Sequence, residues 1–200
     1  MCLNEIEVYT TADTYENYAQ KIVPYGYTAA NAGFWVSEGV GSPTGHESKR
    51  ALYLSDSDAT DKTITKTVSA TSTKTLEFWI RTKAFAASGG AIQWRLMFGA
   101  TNVFRLRVVS GGQISWYNGT AYTNIGGANV IPLDTWKLVK VVANASTNQA
   151  SLYVDGVLIG AANAIGEQGT GAATMNGLLF SSGGAAATGA PALFDDVSLN

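Results

Sequence analysis

The stretch from Thr135 to Gly160 restricts the possible folds of this chain more than any other segment. It reads as three successive strands joined by two reversals. In the first, Trp136, Leu138 and Lys140 alternate with Lys137, Val139 and Val141, and β-branched residues abound, as a half-buried strand requires. Ala145 to Asn148 sets Ser, Thr and Asn where apolar residues stood, marking a change of direction. Leu152-Tyr153-Val154 then runs into Asp155-Gly156. That dipeptide is the strongest short hairpin signal, because a type I′ turn needs two adjacent residues that tolerate positive φ. Val157-Leu158-Ile159 returns as the third strand, so the stretch predicts an antiparallel meander.

The middle of the chain carries the same signature. Thr63–Val68, Lys74–Thr82, Ala91–Phe98, Asn102–Val109 and Gln113–Tyr117 read as strands, with shorter ones at Phe34–Val36, Ala51–Leu54 and Leu178–Phe180. Leu76, Phe78 and Ile80 fall on one face, opposite Glu77, Trp79 and Arg81. Phe104, Leu106 and Val108 likewise alternate with Arg105 and Arg107, the inward and outward pattern of a sandwich sheet. The chain has 200 residues, 46% of them apolar and 14% charged, with 22 glycines. That suits one turn-rich all-β domain with a real core, spanning 1–200. There is no internal repeat. A formal charge of −2 argues against nucleic acid as a partner, since such a footprint needs clustered Lys and Arg. No apolar run reaches the roughly 18 residues of a membrane span, so membrane insertion is not expected.

Three blocks carry a family resemblance. The Trp136–Val142 strand, the Leu152–Gly160 hairpin and the closing Phe194-Asp195-Asp196-Val197-Ser198-Leu199 resemble the concanavalin A-like lectin/glucanase superfamily, in particular its laminin-G-like and bacterial carbohydrate-recognition modules. Asp13 to Tyr18 and Ile22 to Tyr27, with a turn at Pro24 and Gly26, resemble the opening of such bacterial modules. The resemblance implies a two-sheet antiparallel jelly-roll β-sandwich in which the last strand returns beside the first. It leaves function open, because the fold hosts lectins, glycosidases, lyases, adhesion modules and virion proteins.

Catalytic readings fare poorly on the residues. Glu5 and Glu7 alternate and share a strand face, like the paired-acid strand of the superfamily's glucanases. That motif needs an Asp at Glu7 and an acid where Thr10 stands, so the acid and nucleophile pair is incomplete. His46 is the only histidine and Cys2 the only cysteine. One imidazole makes no metal cage, and one thiol makes no internal disulfide. The superfamily's lyases use His, Tyr, Arg and Gln on one sheet, and their Gln-x-His strand is not found. The chain is therefore expected not to be an enzyme.

In the resembling modules an acid near the start and an Asp of the last strand share one calcium. Here that implies Glu16 with Asp195 and Asp196, the remainder of the ion's about six to eight oxygens coming from backbone carbonyls. The bland alternative is a set of turn-capping acids at strand ends. For a saccharide ligand, Trp79, Trp94, Trp116, Tyr117 and Tyr122 offer flat faces. Arg81, Arg95, Arg105, Arg107, Asn118 and Asn124 offer polar groups. Trp79 with Arg81, Arg95, Arg105 and Arg107 is expected to form one aromatic and cationic sheet face, and Asn118-Gly119 a tight hairpin flanked by Trp116, Tyr117 and Tyr122. Against both readings, sandwich tryptophans are mostly core residues and surface arginine rows mostly ion pairs of small value.

Met1 to Glu7 carries acids where a signal peptide needs a basic start and an apolar middle. The expectation is either a mature segment with an added Met or a protein placed outside the cell without classical secretion, as virion proteins are. The functional expectation is a non-catalytic module that binds a glycan or another surface ligand, within a larger extracellular or particle-bound assembly. The alternative is a phage virion structural or decoration protein whose neighbours are capsid or tail proteins.

Overall fold

A computed structural model describes residues 23–30, 34–38, 50–54, 60–85, 92–166, 171–182 and 191–200. The described residues form fifteen strands, numbered along the chain, in two antiparallel sheets. The first sheet runs β1 (Tyr27–Ala30), β4 (Thr63–Thr71), β14 (Met175–Ser181), β6 (Ile92–Phe98), β7 (Thr101–Val109), β8 (Gln113–Tyr117) and β9 (Tyr122–Ile125). The second runs β12 (Val157–Ile159), β11 (Gln149–Val154), β10 (Lys137–Asn144), β5 (Thr73–Thr82), β15 (Ala192–Leu199), β3 (Arg50–Leu54) and β2 (Phe34–Glu38), with β13 (Ile165–Gly166) beside β11. This is the two-sheet sandwich that the alternation predicts.

The meander forms as read. Val154 pairs with Val157 across Asp155 and Gly156, both at positive φ, 50° and 77°. Asp155 does more than turn: its Oδ1 accepts the Leu138 N–H at 3.0 Å, and its Oδ2 sits 2.6 Å from Lys137 Nζ. The Ala145–Asn148 reversal is held by Asn144, whose Oδ1 accepts the Ser146 and Thr147 N–H groups. Tyr27 N–H closes the Pro24 turn. The strand β1 that follows is one the alternation did not reveal.

The core lies between the sheets. Leu76, Phe78 and Ile80 of β5, Val139 and Val141 of β10 and Phe194 of β15 meet Trp94 of β6, Phe104, Leu106 and Val108 of β7 and Phe180 of β14, all buried. Phe78 is the junction. Its ring stands edge-on to Trp94 (centroids 5.5 Å apart) and Phe180 (5.2 Å), while Phe180 also contacts Phe194 at 4.4 Å. Edge-to-face pairs of this kind add to burial itself. β15 lies between β5 and β3, next to the central strand of its sheet, while β1, the first strand among the described residues, pairs with β4 in the other sheet; residues 1–22 lie outside the described ones.

Phe78→Ala is expected to destabilise the domain by about 3–5 kcal/mol, measured by chemical denaturation. Val157→Ala, at a site 64% exposed, should change stability by less than about 0.5 kcal/mol. Equal effects would show that the Phe78 junction is not a main support of the fold.

Candidate functional site

The first sheet's outer face carries a polar and aromatic cluster whose geometry follows from strand register. Gln93 stands opposite Arg107 and Arg95 opposite Arg105 across β6 and β7. Arg107 stands opposite Ser115, and Tyr117 opposite Tyr122, on β8 and β9. Because successive side chains alternate between faces, all of these point away from the core. Trp94, Leu106 and Ile114 point into it.

Buried oxygens hold the arginines in place. Gln93, 1% exposed, receives with its Oε1 the Arg95 Nη2 at 2.9 Å and Nε at 3.3 Å, and the Arg105 Nε at 2.8 Å. Arg95 also donates to Ser181 Oγ at 3.1 Å, and Arg107 Nε donates to Ser115 Oγ at 2.9 Å. Arg105 and Arg107 thus use Nε for the protein, and their terminal nitrogens donate to no acceptor among the described residues. Two tyrosine rings, 5.1 Å apart, pack against them. The Arg105 guanidinium lies 5.6 Å from the Tyr117 centroid and 5.3 Å from that of Tyr122, and Arg107 stacks on Tyr122 at 3.3 Å. These are cation–π distances.

The electrostatics follow from this crowding. Burial lowers the pKa of Arg95, and the like charge of Arg105 lowers it further; Asp61, 4.0 Å away, and Tyr122 oppose this. Burial lowers that of Arg107 as well, with Tyr122 acting in the opposite sense and Arg105 adding to the fall. Tyr122 is pushed above the ordinary phenol range, chiefly by burial, although the three arginines pull the other way. Its hydroxyl is buried and has no hydrogen-bond partner among the described residues.

Several expected site residues stand elsewhere. Trp79 and Arg81 are on β5, in the other sheet, so the single aromatic and cationic face is corrected to two separate ones. Arg81 pairs with Asp134 at 3.2 Å, and Lys83 binds the same carboxylate. The hydrogen bond from Lys83 leads in holding Asp134 below the usual carboxylate range. Trp94 is fully buried, and Trp116 packs inward against the core; each lies one residue out of phase with the outward side chains. The Asn118-Gly119 hairpin is a four-residue loop in which Asn118 N–H donates to Ala121 O. Asn118 Oδ1 is occupied by the Thr120 and Ala121 N–H groups, which makes Asn118 a loop brace. Arg105, Arg107, Tyr117 and Tyr122 do come together. Gln93, Ser115 and Ser181 were not anticipated; the signal available was period two, which puts Gln93 on the face of Arg95.

Asp195 and Asp196 lie where β15 shifts register against β5. Asp195 is 1% exposed, and its Oδ1 accepts the N–H of Asp196 at 2.9 Å; Asp196 adopts φ 47°. Among the described residues no three His, Cys, Asp or Glu side chains converge on a possible metal position. Asp195 and Asp196 are two of the three carboxylates expected to share a calcium. Glu16 lies outside the described residues, as do Cys2, Glu5, Glu7 and His46. Among the described residues no helix is long and apolar enough to cross a membrane.

Residues 56–199 match the laminin-G-type family model described as Concanavalin A-like lectin/glucanases superfamily. The chain belongs to that superfamily, and the jelly-roll reading holds. By sequence, no curated protein matches it. Among solved structures it is similar to a sialidase (TM-score 0.63, 13% identity), covering 94% of this chain but only 18% of the sialidase. It is also similar to the alginate lyase Aly36B (0.63, 13%, covering 95% of this chain and 96% of the lyase). A third is the carbohydrate recognition domain of Emp47p (0.54, 11%, covering 94% and 93%). Carbohydrate-recognising and catalytic proteins thus both share this fold.

Alkaline titration followed by tyrosine absorbance is expected to contain a component displaced to high pH that Tyr122→Phe removes. The folded state holds this proton more tightly than the unfolded chain does. Its contribution to stability is therefore intact below pH of about 10 and declines as pH rises beyond that. A titration unchanged by Tyr122→Phe would contradict the buried position of the phenol.

Proposed function

We propose that this domain is a recognition module that binds a glycan on the outer face of its first sheet, as part of a larger extracellular or particle-bound assembly. The observation that carries the reading is the Tyr117–Tyr122 pair set beside Arg105 and Arg107, whose terminal N–H groups have no protein acceptor among the described residues. Sugars present C–H faces that stack on aromatic rings and hydroxyls that accept from planar donors. Here both lie on one rigid sheet, where strand register fixes their spacing. The likeness to a carbohydrate recognition domain and to an alginate lyase supports a saccharide as the ligand class.

Binding is favoured over catalysis by the chemistry of the face. Among the described residues, Asp61 is the one carboxylate within ion-pair distance of its arginines, whereas glycoside hydrolysis ordinarily needs two acids. A phenol pushed upward by burial is a poor base near neutral pH. A saccharide screen with the purified protein is expected to give specific binding that Tyr117→Ala weakens roughly tenfold, about 1.4 kcal/mol. Trp79→Ala, on the opposite sheet, should leave binding unchanged. A clean blank from folded protein would shift the reading to a structural role among virion neighbours, and release of saccharide products would overturn the non-catalytic one.

We also propose that calcium joins Asp195 and Asp196 to Glu16 and ties the ends of the domain together. A chelator should lower the melting temperature, and Asp195→Ala should abolish that sensitivity. No shift with chelator in the parent protein would remove calcium from the account.

A further inference from the structure

Arg95, Arg105 and Arg107 place three guanidinium groups on one small area of sheet. Among the described residues they meet a single carboxylate, Asp61, at 4.0 Å from Arg95 and with its side chain 39% exposed. Arg95 and Arg105 are direct cross-strand partners, and like charges so placed destabilise a sheet. Gln93 holds the two together through one neutral oxygen, which orients them without cancelling their charge. From this cluster, whose charge the described residues leave largely uncancelled, we infer that the ligand of this face is an acidic saccharide, held through a carboxylate or sulfate group. The inference rests on the glycan reading above and narrows its chemical class.

The orientation of the donors supports it. With Nε of Arg105 bound to Gln93 and Nε of Arg107 bound to Ser115, each planar fork is fixed and its terminal nitrogens are left for a ligand. Paired N–H donors of that kind match two oxygens of one oxyanion. The tyrosine rings pack on the same guanidiniums and leave them less hydrated, which strengthens an ion pair formed there. Arg107 stacks over the ring of Tyr122, whose buried hydroxyl has no hydrogen-bond partner among the described residues.

The test is calorimetric titration of the whole chain with hexuronate, sialylated and sulfated oligosaccharides, each against its carboxyl-reduced or desulfated counterpart. The acidic members are expected to bind roughly tenfold or more tightly than their neutral counterparts and to weaken with added salt. Arg105→Gln and, separately, Arg107→Gln should remove that preference while the melting curve confirms folding. The carboxylated and sulfated arms identify which oxyanion is bound. Equal binding of acidic and neutral partners, or a preference that survives both substitutions, would overturn this inference and leave glycan binding standing. If no saccharide of either kind binds, both readings fall together.

Discussion

The outer face of the first sheet depends on the contact of Phe78 with Trp94 and Phe180. Phe78 belongs to the sheet centred on β5, Trp94 and Phe180 to the sheet centred on β6. Their edge-on packing holds the sheets face to face, with Phe194 filling in from β15. The same contact sets the phase of each strand. With Trp94 turned inward, Gln93 and Arg95 must point outward. Register then carries that phase through Arg105 and Arg107 to Ser115, Tyr117 and Tyr122. A slip of one residue would bury the arginines and expose the core.

The surface so generated runs against what sheet stability alone favours. Opposed arginines repel, and burial weakens the hold of Arg95 and Arg107 on their protons. Gln93 offsets part of this by accepting from two arginines, and the tyrosine faces offset more. Departures from local consistency of this kind concentrate at functional sites. The other sheet shows the contrast: Arg81 and Lys83 share Asp134, and Lys140 lies 3.6 Å from Glu77, so these three cations have anions to meet.

The fold was legible wherever alternation was strict. Leu76-x-Phe78-x-Ile80 and Phe104-x-Leu106-x-Val108 declare their inner face, and Asp155-Gly156 declares its turn. The site was only half legible, because period two tells which residues share a face of one strand but not which strands share a sheet. Arg81 and Arg105 look alike in sequence, yet one lies on β5 and the other on β7. Phase within a strand was also misjudged at Trp116, one residue from Tyr117, since an aromatic residue serves a core as readily as a groove. Asn118 misled for another reason: the side chain that appeared available to a ligand closes its own loop. Strand β1, short and lacking a repeated apolar pattern in Tyr27–Ala30, forms by pairing with β4, which local sequence does not reveal.

The most direct test of the central claim, that a glycan lies across β6, β7, β8 and β9, is nuclear magnetic resonance of the labelled protein titrated with an acidic oligosaccharide. Arginine Nε–H signals and backbone amides would be followed together. The account predicts that Arg95, Arg105 and Arg107, with amides of Ser115 to Asn124, shift in proportion to occupancy while β5 and β10 stay still. Shifts gathered instead around Trp79, Arg81 and Lys140, with the arginines of the first sheet unmoved, would contradict it.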